Sequence, residues 1–239
     1  MATILCYATD KGGAGKSTAA KHTGKYLHDQ GFKVVIYDGD QSNNLVNFVA
    51  RRAEVLGKNN MNFPEVRLFP LNLKKEHPST FLEREAGDFD FVIIDLVGSL
   101  SNLHSTVMSC SHIIIVPAQM DTESVDGAIE TFSFIEEADI VETGALFPIP
   151  LVVMCDWDKK TPAGIKASKN PEFAELPKFD QILGNRRRKY INASNDGLTV
   201  FDMAKKDTSY ESAAFEMGKF NKELLQLVKD IATSMKEEN

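Results

Sequence analysis

Cysteine, tryptophan and long apolar stretches are what this 239-residue chain has least of: three cysteines, one tryptophan, and no hydrophobic run longer than a strand. Cys6, Cys110 and Cys155 are odd in number, far apart and each set among apolar neighbours. That excludes a disulfide framework or a cysteine-rich metal knot and predicts reduced thiols inside a core. Runs such as Phe91–Ile94 and Ile113–Val116 fall far short of the ~20 residues that cross a bilayer. Met1-Ala2-Thr3-Ile4-Leu5 lacks a basic segment and a small-residue cleavage pattern, so no secretory leader is expected and the chain is predicted to be cytoplasmic. The five histidines include no His-x-x-x-His pair, which argues against zinc. Positive charge is also in deficit: 27 Lys+Arg against 34 Asp+Glu give a net charge of −7. Any contact with nucleic acid must therefore come from a local basic patch acting against the field of the whole molecule.

What is present is a soluble globular composition, 43% hydrophobic and 26% charged, in a chain long enough for one sizeable core. No linker or repeat divides it, so one domain over residues 1–239 is expected. Apolar, β-branched runs alternate with amphipathic segments. Strands are predicted at Thr3–Thr9, Lys33–Asp38, Val66–Phe69, Phe89–Asp95, His112–Pro117, Pro150–Asp156 and Phe179–Leu183, and long helices at Lys16–Gln30, Asn43–Leu56, Leu103–Cys110, Thr122–Ala138 and Tyr210–Ser234. Consecutive apolar residues, as in Phe91-Val92-Ile93-Ile94, mark strands covered on both faces. The fold class that follows is α/β, a single-domain, doubly wound, mostly parallel sheet flanked by helices. Residues Asp158–Lys178 read as the most loop-like segment.

The first strand runs into Asp10-Lys11-Gly12-Gly13-Ala14-Gly15-Lys16-Ser17-Thr18 and then an alanine-rich helix. Glycines let successive backbone N–H groups turn toward an anion, and the helix dipole adds to the attraction. In this order Gly12, Gly13, Ala14, Gly15, Lys16, Ser17 and Thr18 form a phosphate-binding loop, with Lys16 reaching the β- and γ-phosphates of ATP and Ser17 placing its hydroxyl on Mg²⁺. Asp10 stands where the general pattern has glycine, and a second lysine, Lys11, precedes the glycine pair.

This Lys-Gly-Gly-x-Gly-Lys-Ser arrangement resembles the deviant Walker A motif of the ParA/MinD family of ATPases, which includes the partition ATPases of plasmids and chromosomes. The resemblance implies that Lys11 is the signature lysine that reaches the partner subunit's ATP in a nucleotide-sandwich homodimer. Asp38-Gly39-Asp40-Gln41 is similar to the family's first switch, without its proline. It implies that Asp40 positions the attacking water and Asp38 supports the magnesium shell. The run ending in Asp95 has the Walker B form, making Asp95 the metal-side carboxylate, and Gly98 follows in place of a proline-bearing second switch. Asp121, Ser124 and Gly127 match a segment the family places beside its dimer interface, although helix capping alone explains Asp121. Cys155 stands nearest to where relatives use an asparagine to read adenine.

Arg186-Arg187-Arg188-Lys189 is the one concentrated basic run. It is either a solvated helix face or a contact for nonspecific double-stranded DNA through phosphate charge, the role the resemblance implies. The last helix carries apolar residues at helical spacing that suit a core, and its acidic end Lys236-Glu237-Glu238-Asn239 does not suit a membrane anchor. The resemblance, closest to short partition ATPases without an N-terminal helix-turn-helix domain, implies an ATPase that hydrolyses ATP weakly until a centromere-binding or adaptor protein activates it. It also implies that the chain associates with the nucleoid when ATP-bound and segregates DNA. A positioning ATPase for protein cargo or conjugative transfer, and an ATP-dependent metabolic enzyme of dethiobiotin-synthetase type, are the alternatives.

Overall fold

The computed structural model describes residues 2–70, 77–143, 146–156, 160–183 and 187–237. In chain order the elements are β1 (Thr3–Tyr7), α1 (Lys16–Asp29), β2 (Val34–Gly39), α2 (Asn44–Leu56), β3 (Glu65–Leu68), α3 (Pro78–Ala86), β4 (Phe91–Leu96), α4 (Asn102–Ser109), β5 (Ile113–Ala118), α5 (Thr122–Glu137), α6 (Ile140–Thr143), β6 (Ile149–Met154), α7 (Pro162–Ser168), α8 (Pro171–Glu175), α9 (Arg187–Asn195), α10 (Val200–Ala204) and α11 (Glu211–Glu237). The described strands form one six-stranded sheet in the order β3-β2-β4-β1-β5-β6, and every pairing is parallel.

Alternation along each strand divides the core in two. Ile4, Cys6, Val92, Ile94, Ile114 and Val116 point to a layer with α3, α4, α5 and α8. Leu5, Tyr7, Ile36, Phe91, Ile93 and Ile115 point to the opposite layer with α1, α2, α9, α10 and α11. Both faces are dry, which is why these strands read as continuous apolar runs. The strand order places β1 at the centre, where the chain crosses over to β2 on one side and β5 lies on the other, so the loop after β1 opens at the topological switch point of the carboxyl edge.

Two expectations are corrected. Phe179–Leu183 is not a strand: only isolated bridges at Lys178 and Leu183 touch β6 and the residue after it. The backbone N–H groups of Asp180 and Gln181 are drawn to the Glu223 carboxylate of α11 at 2.7 and 2.9 Å, which diverts the donors a ladder would need. The described part of the loop-like segment Asp158–Lys178 holds α7 and α8. Each starts with proline in its first turn and a side-chain cap, Thr161 and Asn170, a start signal that the segment's Pro and Gly content obscured.

Candidate functional site

The loop from Asp10 to Gly15 turns on two glycines in the left-handed region, Gly13 (φ 81°) and Gly15 (φ 108°), a conformation costly for residues with a side chain. Lys16 opens α1 and is only 8% exposed. Its ammonium curls back on the loop, donating to the carbonyls of Lys11 at 3.1 Å and Thr9 at 3.4 Å. Burial lowers its pKa, and the charges of Asp95, Asp40 and Asp10 oppose that shift.

Asp95, in β4, is fully buried, and neither of its oxygens accepts a hydrogen bond. Desolvation pushes its carboxyl up to about 7. Asp38 and Asp40 add to the rise, while Ser17 and Lys16 pull it down. A buried carboxylate with both oxygens unpartnered is costly unless a cation or donor completes it. Oxygen donors are what Mg²⁺ prefers, so Asp95 with the neighbouring Ser17 hydroxyl fits that ion. Among the described residues no three His, Cys, Asp or Glu side chains converge as a cage, and Mg²⁺ commonly completes its shell with water and substrate phosphate.

Asp38 pairs in register with Asp95 across the sheet, yet its carboxylate is turned to backbone. One oxygen accepts from Leu45 N at 2.9 Å and Val46 N at 3.2 Å, the other from Asp40 N at 3.2 Å. Asp38 thus fastens the N-terminus of α2 and the bend that presents Asp40. Asp40 is partly exposed and accepts from Ser42 N at 2.8 Å. Its charge reaches both Lys16 and Asp95. Gly98, after β4, closes the opposite wall: a Cβ there would lie 3.1 Å from Gly12 N and 3.2 Å from Lys16 Nζ.

Lys11 is ion-paired with Glu123 in the first turn of α5, and that pairing raises its pKa. Gly127 permits α5 to approach, since a Cβ there would stand 2.9 Å from that of Lys11. Thr131 accepts from Asp10 N at 3.1 Å and donates to Gly127 O at 2.6 Å, and Gln119 donates to Gly13 O at 2.8 Å. Glu123, Thr131 and Gln119 were not legible as site residues; the only signal was the four-residue spacing of Glu123, Gly127 and Thr131 along one helix face. Asp121 caps α5, accepting from Ser124 N at 2.8 Å and the Ser124 hydroxyl at 2.9 Å.

Beside the loop lies a cavity of about 160 Å³ lined by Gly15, Thr18, Cys155, Asp156, Tyr190 and Met217. Gly15 lies close to Cys155 Sγ, 3.7 Å from where a Cβ would stand. Burial pushes the Cys155 thiol up to about 12, so it stays protonated. Arg187, Arg188 and Lys189 of the basic run fall in α9, which lines this cavity through Tyr190. Arg186 and the side chain of Arg187 lie outside the described residues; Arg188 is exposed. Lys189 donates to Ser209 at 2.6 Å and covers the Tyr210 ring.

The family described as VirC1 protein matches residues 1–226. Protein virC1 of Rhizobium radiobacter is 23% identical over 173 residues, spanning 72% of this chain and 71% of that protein. An ATP complex of McdA from Cyanothece superposes with a TM-score of 0.69 at 19% identity, covering 93% of this chain and 96% of the other. Cobyrinic acid a,c-diamide synthase from Mycobacterium smegmatis, solved with an ATP analog and magnesium, gives 0.71 at 19% identity, covering 95% of each chain. These structural likenesses establish the α/β fold.

Proposed function

The chain belongs to the VirC1 family, and on that premise we propose that it is an ATP-driven switch of ParA type, one domain across residues 1–239. ATP closes a homodimer, the dimer binds nonspecific double-stranded DNA, and a centromere-binding or adaptor protein stimulates hydrolysis and releases it. The observation that carries this reading is the meeting of Lys16, Ser17 and the unpartnered Asp95 carboxylate at the mouth of a glycine loop. In this reading the backbone N–H groups of Gly12–Thr18 and the Lys16 ammonium hold the phosphates. Ser17 and Asp95 would hold Mg²⁺, which would neutralise charge on the phosphate oxygens. Asp38 anchors the bend carrying Asp40, and Asp40 orients the water that attacks. Gly98 brings the loop after β4 against Lys16, where its backbone senses the terminal phosphate.

Lys11, freed from Glu123, reaches the partner subunit's ATP. The open recess of about 500 Å³ outside Lys11, Gly12 and Gly13 leaves room for that approach. Arg186, Arg187, Arg188 and Lys189 carry the DNA contact, doubled by dimerisation. The protein works in the cytoplasm, on the nucleoid when ATP-bound, moving DNA in segregation or conjugative transfer. The fold shared with a diamide synthase also suits an ATP-dependent metabolic enzyme, a reading that requires turnover to depend on a small acceptor.

Light scattering of the wild-type chain and Lys11→Ala, each with and without ATP, separates the readings. A dimer is expected only for wild type with ATP, with Lys11→Ala binding ATP as a monomer. Equal dimerisation of both proteins would remove Lys11 from the cross-subunit role.

A further inference from the structure

On the side of α5 away from the phosphate loop lies an open groove of about 470 Å³. Its floor is apolar: Ile129 and Phe132 of α5, Val141 of α6, Pro150 of β6 and Leu176 after α8. Its rim carries Glu136, Asp139, Glu142 and Glu172, and among the described residues no lysine or arginine lines it. Val141 is 38% exposed. We propose that this groove docks a basic amphipathic helix of a partner protein and that the docked helix acts on the phosphate loop through α5.

An apolar floor between carboxylates complements a helix with an apolar stripe flanked by Lys or Arg. Strand addition is disfavoured. The outward-facing groups of Val152 and Met154 are taken by Pro177, Phe179 and Leu183, and the next outward position along β6 is Pro150, which has no N–H. The rim excludes nucleic acid and anionic lipid.

The coupling follows from helix geometry. At 100° per residue, Ile129, Phe132 and Glu136 occupy the face of α5 opposite Glu123, Gly127 and Thr131. The second set touches the phosphate loop: Glu123 pairs with Lys11, Gly127 abuts its Cβ, and Thr131 holds Asp10 N. A helix lodged in the groove therefore bears on the element that fixes Lys11. This consequence rests on the partner-stimulated ATPase reading; the docking itself does not.

The test uses the full chain and a fluorescent synthetic Leu/Lys amphipathic peptide of about 18 residues, five helical turns, with its Leu/Glu counterpart as control. Anisotropy reports binding, and phosphate release with ATP and DNA reports turnover. The Leu/Lys peptide is expected to bind and to raise turnover. Glu136→Lys/Glu172→Lys is expected to weaken binding about tenfold or more with basal turnover unchanged, whereas Glu54→Lys/Glu83→Lys, an equal charge change on exposed sites of α2 and α3, leaves binding intact. Equal binding by all three proteins, or equal binding of the two peptides, would overturn the docking site. Binding confined to the groove with turnover unmoved would overturn the coupling. Absence of ATP binding to the chain would instead overturn the proposed function, and anisotropy would still decide the groove.

Discussion

At the scale of single residues the candidate site is built from groups that lack a partner or turn back on their own loop. Asp95 has no hydrogen-bond partner, and the Lys16 ammonium rests on carbonyls of its own loop. Asp40 is the exposed acid of the pair, and it holds only its own turn. Asp40→Ala should therefore still bind ATP yet hydrolyse it at least about a hundredfold more slowly, trapping the dimer; phosphate release beside nucleotide binding checks this, and normal turnover would remove Asp40 from the mechanism. Gly98→Ala places a methyl 3.2 Å from Lys16 Nζ and 3.1 Å from Gly12 N. It should cut ATP affinity about tenfold or more while the melting temperature stays within a few degrees, as calorimetry with and without ATP would show. Lys16, Ser17 and Asp95 were legible because each sits in a short local pattern. Glu123 and Thr131 were not, because their role is a contact across more than a hundred residues of sequence.

At the scale of elements, α1 is clamped to the layer behind it. His22, fully buried, lies 2.7 Å from Thr18 O through Nδ1 and accepts from Val200 N at 3.2 Å through Nε2, so its neutral form joins the start of α1 to α10. Arg52 of α2 holds Asp202 of α10 through two bonds, 2.7 and 3.1 Å, and buried Lys25 of α1 pairs with Asp29 and stands 3.9 Å from Asp202. Burial, chiefly, lowers the His22 pKa from 6.5 to about 3. Between those values the unfolded chain binds the extra proton, so stability is full above about pH 6.5 and falls as pH drops toward 3, by up to ~1.4 kcal/mol per unit. Asp202, held at about 2 mainly by Arg52 and Thr199 against its own desolvation, adds to the loss below about pH 4. Because Asp95, raised to about 7, works in the opposite sense over the same range, the His22 contribution is read as a difference: in urea unfolding from pH 7.5 to 4.5, wild type should lose stability relative to His22→Gln as pH falls, and parallel pH profiles of the two proteins would contradict the assignment. The strands of the sheet were legible to within two residues at each end, most of them because their apolar runs are continuous; the edge strand β3, Glu65-Val66-Arg67-Leu68, has no such run. The stretch from Phe179 to Leu183 misled because a short run with apolar ends does not reveal that Glu223 takes the backbone donors of Asp180 and Gln181.

At the scale of the whole molecule, the sheet gathers the ends of β1, β2, β4 and β5 at one edge, so the glycine loop, Asp40, Asp95 and the start of α5 lie together there, where the proposed function puts the nucleotide. Among the described residues no helix is long and apolar enough to cross a membrane. A net charge of −7 means that the proposed contact with nonspecific DNA has to lie where basic residues gather, and the proposed pairing of two chains would double that local density. The most direct test is binding to arbitrary duplex DNA with ATP, with ADP and without nucleotide across a salt series, for wild type and Arg187→Ala/Arg188→Ala. The account predicts binding only with ATP, weakening steeply with salt and lost in the double variant. Binding indifferent to nucleotide, or none with ATP, would contradict it.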